Sequence, residues 1–394
     1  MRNKRMNGRR KLLKDLFVCA SGWNVPFLSV CRWDFSQLQN VDSRRGTLLG
    51  VLPFFDEGNA PLSTPLGGEL DGRFFTDLSK VSLENPITSS ADFYVRTRAS
   101  KLLDVTRSWS IQIRTPSKGS LTFLAGDLEK HSRPMGIHLM ECAGNSRSAH
   151  FGMLSVADWD GVLVGEVLER AEMEKSNRQI LISGFDRYFA ESRSSTPGAS
   201  WIFPLDQLLS SRAFLATKMN GRPLAIDHGA PVRLVVPSWY GCACIKWVNE
   251  IAFVSDDVAA TSQMQEYAGR TNQYGMPALA REYRPALITY GALPVRVEKW
   301  LLDSKLRFHV SGIHWGGTRP IEDLEIRFNP GEDFVPVGNF EKSSGDSWGL
   351  WSHDWLPTKA ATYTIRLRLK DKSLAARRLD SGYYERSVEI KELS

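Results

Sequence analysis

The sequence predicts an α+β domain followed by an all-β sandwich, and three observations lead to this fold class. The middle of the chain alternates short β-type runs with helical patterns, without the regular βαβ repeat of a doubly wound sheet. The C-terminal part carries short alternating runs separated by Gly, Pro, Asp and Ser turns. With 394 residues, 42% of them hydrophobic, the chain is long enough for two or three packed domains. This composition excludes a disordered, collagenous or coiled-coil protein.

The predicted elements follow from hydrophobic periodicity and turn residues. In the middle of the chain we predict strands at residues 110–114, 136–140, 232–237 and 251–254, and helices at 164–175 and 205–211. In the C-terminal part we predict strands at residues 295–300, 305–310, 321–328, 363–369 and 388–393. The domain boundaries expected from these patterns are 1–60 for an N-terminal arm, 61–280 for the α+β domain and 281–394 for the sandwich.

The N-terminal residues are strongly basic and contain Arg9 and Arg10 followed by two leucines and a lysine. This pattern resembles a twin-arginine export signal. The uncharged stretch that follows, residues 16–31, is shorter than the roughly 20 apolar residues of a spanning helix, so no integral membrane segment is expected. We expect export to the periplasm; the alternative is a basic, loosely ordered arm on a cytoplasmic protein.

Charge and cysteine content narrow the choice of partners. The net charge of +6 fits a small anion or an anionic cofactor, and no run of five basic residues occurs beyond the first 14 positions, which argues against nucleic acid. The five cysteines are Cys19, Cys31, Cys142, Cys242 and Cys244. Their odd number and spacing fit neither a disulfide scaffold nor a tetrahedral zinc site.

The most informative segment surrounds Cys142, which ends a predicted buried strand and is followed at once by Ala, Gly and Asn. A glycine in such a turn lets a bulky group approach the chain closely. Arg147, five residues after the cysteine, would lower the thiol pKa and hold an anion. The alternative is a buried cysteine with a purely structural role.

A second segment places His228 and Arg233 five residues apart around a Gly and a Pro, and Lys246 follows the next strand. Cations that converge on loops at both ends of one strand suit a phosphate-bearing ligand. Scattered surface cations are the competing interpretation.

Together these segments resemble the sulfite oxidase family of molybdopterin enzymes. The motifs Cys-Ala-Gly-Asn, Lys-Met-Asn-Gly-Arg-Pro-Leu, Asp-His-Gly-Ala-Pro-Val-Arg and Ile-Lys-Trp occur in family order and with family spacing. The resemblance covers about residues 85–275 clearly and the C-terminal part loosely. It implies a sulfite-oxidase-type mixed cofactor domain followed by an immunoglobulin-like sandwich that dimerises.

The resemblance also implies roles for particular residues. Cys142 would be the thiolate ligand of molybdenum, a metal already bound by the sulfurs of the pterin. Arg96, Arg147 and Tyr267 would be catalytic: the arginines would neutralise an oxyanion and the tyrosine would hydrogen-bond near the metal. The cofactor-binding residues that it implies are Phe93, Tyr94, Arg96, Arg98, Asp186, His228, Arg233, Cys244, Ile245 and Lys246.

The expected function is that of a molybdenum-cofactor oxidoreductase that catalyses two-electron oxo transfer at a small oxyanion, with sulfite to sulfate as the leading reaction. The chain has no C-x-x-C-H haem motif, so we expect Mo-molybdopterin without haem and an external electron acceptor such as cytochrome c. A homodimer is implied by the resemblance alone.

Two other functions stay open. The stretch after Arg147 is shorter than in the animal enzymes, which motivates an S-oxide or N-oxide reductase on the same cofactor. A binding or assembly protein that has lost the metal is the non-catalytic alternative.

Overall fold

The computed structural model describes residues 46–105, 108–115, 119–171, 178–192, 195–343 and 345–393. The chain divides into two units, Met1–Asp42 and Ser43–Ser394, and the described residues belong to the second. The predicted export signal, Cys19 and Cys31 lie outside the described residues.

The regular elements are strands for the most part. The strands before residue 260 are β1 (Thr47–Leu52), β2 (Phe54–Phe55), β3 (Ser110–Thr115), β4 (Gly119–Leu124), β5 (Arg133–Glu141), β6 (Leu154–Leu163), β7 (Gln179–Gly184), β8 (Ser200–Pro204), β9 (Phe214–Met219), β10 (Arg222–Pro223), β11 (Arg233–Val235) and β12 (Val248–Val254). The C-terminal strands are β13 (Gly291–Leu302), β14 (Lys305–Trp315), β15 (Leu324–Arg327), β16 (Val335–Pro336), β17 (Asn339–Phe340), β18 (Gly349–Trp355), β19 (Ala361–Leu369) and β20 (Arg386–Ile390). The helices are α1 (Ala125–Lys130), α2 (Val164–Arg170), α3 (Leu205–Ser210), α4 (Ser262–Tyr267) and α5 (Arg377–Asp380).

Two sheets form the α+β part. One has the order β4-β3-β12-β7-β8, and the other has the order β10-β9-β6-β5 with β11 paired to β9. Strand β3 shows why these segments are strands: Ile111 and Ile113 are buried while Gln112 and Arg114 between and after them are not. Since β3 and β12 pair in parallel, the chain crosses over between them, and the second sheet lies in that crossover.

Two further sheets form the C-terminal part, with the orders β1-β13-β14-β18-β17 and β16-β15-β19-β20-β2. All their strand pairs are antiparallel in the described residues. Strand β19 buries every second side chain, with Tyr363, Ile365, Leu367 and Leu369 inside. This alternation confirms the strands that the sequence predicted here.

The N-terminal arm expected over residues 1–60 needs a correction. Strand β1 pairs with β13 and β2 pairs with β20, so residues 47–55 are edge strands of the two C-terminal sheets. Glu57 then fixes the segment, because Arg386 donates to its two carboxylate oxygens over 2.6 and 2.7 Å. Both side chains are buried, and such a bidentate pair is strongly directional.

The predicted elements of the α+β part agree with the structure to within a few residues. The helix predicted over 164–175 is α2, which ends at Arg170, and part of the predicted range lies outside the described residues. Among the described helices, none combines the length and apolar character needed to cross a membrane.

Candidate cofactor and active site

Cys142 follows β5 directly and begins a tight turn. The Asn145 N–H donates to the Cys142 carbonyl over 2.9 Å, and the Gly144 N–H donates to the Cys142 sulfur over 3.4 Å. The side chain is 3% exposed. Burial raises the pKa of the thiol, against smaller lowering effects of the Arg96 charge and the Gly144 N–H. The free protein therefore holds a protonated thiol, which a soft metal would deprotonate on binding.

The thiol faces a cavity that holds about 840 Å³ of empty space, part of it open to solvent. Eleven of the residues singled out in the sequence line it: Phe93, Tyr94, Arg96, Cys142, Asp186, His228, Arg233, Cys244, Ile245, Lys246 and Tyr267. They come from distant parts of the chain, and only the fold brings them together.

His228 ends a short 3-10 turn, and its Nε2 lies 3.0 Å from the Ser90 carbonyl oxygen. Because a carbonyl only accepts, Nε2 carries the hydrogen and Nδ1 is left as an acceptor. Burial, with the nearby charges of Arg233 and Lys246, lowers the pKa of His228 to about 4. The imidazole is therefore neutral at neutral pH and suits an N–H or O–H donor.

Gly229 follows His228 with φ of +105°, a conformation that favours glycine. A Cβ here would lie 2.9 Å from the Arg233 Cβ and 3.1 Å from the Lys246 Cβ. The glycine thus lets the two cationic side chains approach the same loop.

The Arg233 side chain is buried, and Lys246 is half-buried. The Lys246 ammonium donates to the Asp227 carbonyl over 2.9 Å and also to the Thr97 carbonyl. Burial, followed by the charge of Arg233, holds the pKa of Lys246 well below its usual range. Burial likewise lowers the pKa of Arg233. A phosphate in the cavity would counter both effects by compensating the buried positive charge.

Two buried polar atoms of residues that line the cavity have no hydrogen-bond partner among the described residues: the Nε of Arg233 and the Oδ1 of Asp186. Buried polar atoms are nearly always paired, so unpaired ones that face a cavity indicate a ligand. Burial raises the pKa of Asp186 to about 6. Its free oxygen suits the N–H groups of a heterocycle, and the guanidinium suits an anion.

Sequence and structure comparisons agree with this geometry. Residues 99–262 match the oxidoreductase molybdopterin-binding domain family. The mitochondrial sulfite oxidase of Rattus norvegicus is 30% identical over 173 residues, which are 40% of this chain and 31% of the relative. The NADPH nitrate reductase of Leptosphaeria maculans is 25% identical over 283 residues, which are 64% of this chain and 31% of the relative.

The crystal structure of the sulfane dehydrogenase SoxCD from Paracoccus pantotrophus shares the fold. It superposes with a TM-score of 0.63 at 15% identity and covers 97% of this chain and 99% of its own. Residues 99–262 of the chain thus resemble the molybdopterin-binding domain of the sulfite oxidase family. The chain spans about a third of the length of the two curated relatives named above.

The structure places two of the residues implied by resemblance to the sulfite oxidase family outside the cavity lining. Arg98 pairs with Asp227 over 2.8 Å, and the Ala99 N–H donates to the same carboxylate. Arg98 therefore orients Asp227, which does line the cavity. Arg147 begins the 3-10 turn Arg147–Ala149, and it is not among the lining residues.

Tyr267 reaches the cavity because helix α4 is held by a capping hydrogen bond and by buried side chains. The helix is capped by the Thr261 hydroxyl, which accepts from the Met264 N–H over 3.3 Å. Met264 and Tyr267, one turn apart, are both buried. Burial raises the pKa of the Tyr267 hydroxyl, so it remains a hydrogen-bond donor.

Several residues near the thiol were missed by reasoning from the sequence alone. Gln263 and Glu266 of α4 line the cavity, as does Ser195. Arg270 lies close to the Cys142 turn: a Cβ added at Gly144 would be 3.3 Å from its Nη1 and 3.8 Å from the Cys142 sulfur. The family resemblance at Tyr267 was a signal for its neighbours Gln263, Glu266 and Arg270, whereas no motif surrounds Ser195.

The residues that line the cavity fit molybdopterin, the cofactor of the sulfite oxidase family. No group of three or more His, Cys, Asp or Glu side chains in the described residues could hold a metal by itself. One thiolate, Cys142, suits a metal that arrives with other sulfur ligands. The unpaired acceptor of Asp186 and the cations Arg233 and Lys246 suit a pterin and its phosphate.

Proposed function

We propose that this chain is a molybdenum-cofactor oxidoreductase that oxidises a small oxyanion, with sulfite to sulfate as the reaction. The observation that carries the proposal is the buried thiol of Cys142 in a cavity that is also lined by Arg96, Tyr267 and the cations Arg233 and Lys246, whose pKa values are lowered by burial. The matched family domain supports the cofactor, and the sulfite oxidase relative supports the substrate class.

The bound cofactor supplies two-electron oxygen-atom transfer, so that sulfite and water yield sulfate, two protons and two electrons. Cys142 holds the metal as a thiolate, and its proton leaves when the metal binds. Arg96, with a side chain 22% exposed, neutralises and orients the oxyanion. The protonated Tyr267 donates a hydrogen bond to the same anion or to its product. His228, Arg233 and Lys246 hold the pterin and its phosphate.

We also propose the partners and location that the sequence suggested. The electrons pass to an external acceptor such as cytochrome c, and the C-terminal sheets, immunoglobulin-like in our proposal, form a homodimer. The Arg9-Arg10 pattern supports export to the periplasm.

The test is metal and activity analysis of the natively purified protein. We expect about one molybdenum and one pterin per chain, and sulfite-dependent reduction of cytochrome c. Cys142→Ser should lose both molybdenum and activity, since a hydroxyl is a poor ligand for a soft metal. Cys242→Ser changes a second buried thiol of the same cavity and is the matched control, which should retain molybdenum.

Other results would select the other functions. Reduction of methionine sulfoxide or trimethylamine N-oxide by reduced viologen, without sulfite oxidation, would show a reductase on the same cofactor. The nitrate reductase among the relatives makes nitrate a third substrate to include. A protein without molybdenum, on which Cys142→Ser has no effect, would be a binding or assembly protein.

A further inference from the structure

Arg73 lies beside Arg96, although the two residues are far apart in the sequence. Phe74 and Val95 face each other in an antiparallel bridge, which places Arg73 next to Arg96. The Nη1 of Arg73 donates to the Arg96 carbonyl over 2.6 Å and to two carbonyls of its own turn over 2.8 and 2.9 Å. Three backbone acceptors thus fix one side of the guanidinium and leave the Nη2 side available.

The Nη2 atoms of both arginines point at one oxygen atom. The Ser195 hydroxyl oxygen accepts from Arg73 over 3.1 Å and from Arg96 over 2.8 Å. Ser195 lines the cavity together with Cys142 and Tyr267. A neutral hydroxyl between two guanidinium groups occupies the position that an oxyanion oxygen would take with greater electrostatic gain.

Charges around this pair favour an anion. Burial, and then the charge of Arg96, lower the pKa of Arg73 to about 10, so Arg73 remains charged at neutral pH. The Glu266 carboxylate lies 3.9 Å from Arg96, too far for a hydrogen bond. The Asp71 carboxylate raises the pKa of Arg73 through its charge, and it accepts a hydrogen bond from the Ser192 hydroxyl over 2.6 Å. Neither carboxylate lies between the two guanidinium groups in these contacts, which the Ser195 hydroxyl bridges instead.

We propose that Arg73 is a substrate-binding residue that, with Arg96, holds one oxygen of a small oxyanion at the position of the Ser195 hydroxyl. The inference rests on the proposed function of the same cavity and deepens it. It assigns to Arg73 the role of second arginine that the family resemblance implied for Arg147. The substrate class is a compact sulfur oxyanion with several equivalent oxygens.

The experiment measures binding of inorganic sulfate, the product of the proposed reaction, to the full chain by calorimetry. Arg73→Gln should weaken sulfate binding about 10- to 100-fold, the range for loss of one hydrogen bond to a charged group. Ser195→Ala should bind sulfate as tightly as the wild type or more tightly, because no hydroxyl is displaced. Arg222→Gln removes an exposed arginine of β10 and is the matched control, with unchanged binding.

A second variant keeps the inference testable if Arg73→Gln does not fold. Ser195→Asp places a carboxylate between the two guanidinium groups and should abolish sulfate binding while the protein retains its fold and molybdenum. In steady-state assays Arg73→Gln should raise the KM for sulfite more than it lowers kcat. A merely structural role would instead lower stability or molybdenum content and leave the affinity for sulfate unchanged.

The outcomes separate the two proposals. Unchanged sulfate affinity in a folded Arg73→Gln or Ser195→Asp protein, or no sulfate binding by the wild type, overturns the role of Arg73. Sulfate binding that depends on Arg73 in a protein without sulfite oxidation supports the anion site and counts against the proposed reaction alone.

Discussion

Two adjacent residues at the end of β5 face very different surroundings. Glu141 is completely buried, and its carboxylate accepts from Trp315 over 2.9 Å and from Tyr384 over 3.4 Å, with Arg378 at 3.9 Å. Cys142 faces a cavity whose buried atoms on Asp186 and Arg233 lack partners. The residues that contact the Glu141 carboxylate, Trp315, Tyr384 and Arg378, all lie in the C-terminal part of the chain.

This difference teaches how to recognise a ligand site in a protein without bound ligands. Burial alone does not distinguish Glu141 from Cys142, and burial raises the pKa of both. What distinguishes them is their direct partners: the Glu141 carboxylate accepts from the side chains of Trp315 and Tyr384, whereas the Cys142 sulfur accepts from the Gly144 N–H and lines the cavity. A buried polar group whose partners are protein side chains stabilises the fold, whereas one that lines a cavity is available to a ligand.

The largest expected effect on stability comes from removing the buried carboxylate of Glu141. Glu141→Ala should lower the free energy of unfolding by about 3–5 kcal/mol, because it leaves the Trp315 N–H without its buried acceptor and removes the negative charge that faces Arg378. Urea unfolding of the cofactor-free protein measures the change. Glu141→Gln, which retains an acceptor oxygen, should lose less.

The matched change on the other side is Cys142→Ser. It should change the stability of the cofactor-free protein by less than about 1 kcal/mol, because the thiol faces open space rather than a closed network. Equal losses from Glu141→Ala and Cys142→Ser would contradict the distinction between the two sides.

A smaller effect of opposite sign is expected at Asp186. Its folded-state pKa of about 6 lies above the ordinary 3.8, so the folded state binds more protons between these values and stability falls as pH rises through them. Asp186→Asn should therefore stabilise the cofactor-free protein above pH 6, by about 1 kcal/mol because water still reaches the side chain. The gain should vanish below about pH 4.

The same variant should weaken retention of the pterin, since one oxygen that we assign to the cofactor becomes an amide. Thermal unfolding at pH 7.5 and pH 4, with the pterin content of the purified protein, measures both effects. Stabilisation that persists at pH 4 would show that the carboxylate charge is not its cause.

The smallest effect is expected at Arg270. Burial raises the pKa of the Cys142 thiol and the charge of Arg270 lowers it by a smaller amount, so Arg270→Gln should raise that pKa further. The pH dependence of alkylation in the cofactor-free protein, followed by mass spectrometry, reports the change at Cys142. Cys244 in the same sample is the internal control, and an equal change at both thiols would indicate a general opening of the fold.

Much of the fold could be predicted from the sequence because strand patterns are local. The alternation of apolar and polar residues over β3 and β19 predicted both strands correctly, since each strand buries every second side chain. Strands β1 and β2 were assigned to an arm because their partners, β13 and β20, are remote in the chain. Local periodicity carries no information on which strands pair.

The site likewise contains residues that a local motif indicates and residues that only the fold brings to it. Cys142, Arg233 and Lys246 lie in motifs with family spacing, and all three line the cavity. Arg73 has no motif around it and is not itself a lining residue; the bridge between Phe74 and Val95 places it beside Arg96, where it contacts Ser195 of the cavity lining. Spacing alone suggested that Arg147 would face the thiol, but the turn after Cys142 takes it out of the cavity lining.

The pairing of β1 with β13 has a consequence for biosynthesis. Synthesis at about 5–20 residues per second leaves β1 outside the ribosome long before β13 is made. During that interval Leu48, Leu49 and Val51, exposed even in the finished protein, have no sheet to join. The nascent chain therefore carries an unpaired apolar strand until its last quarter emerges, and a chaperone that covers β1 would protect it from aggregation.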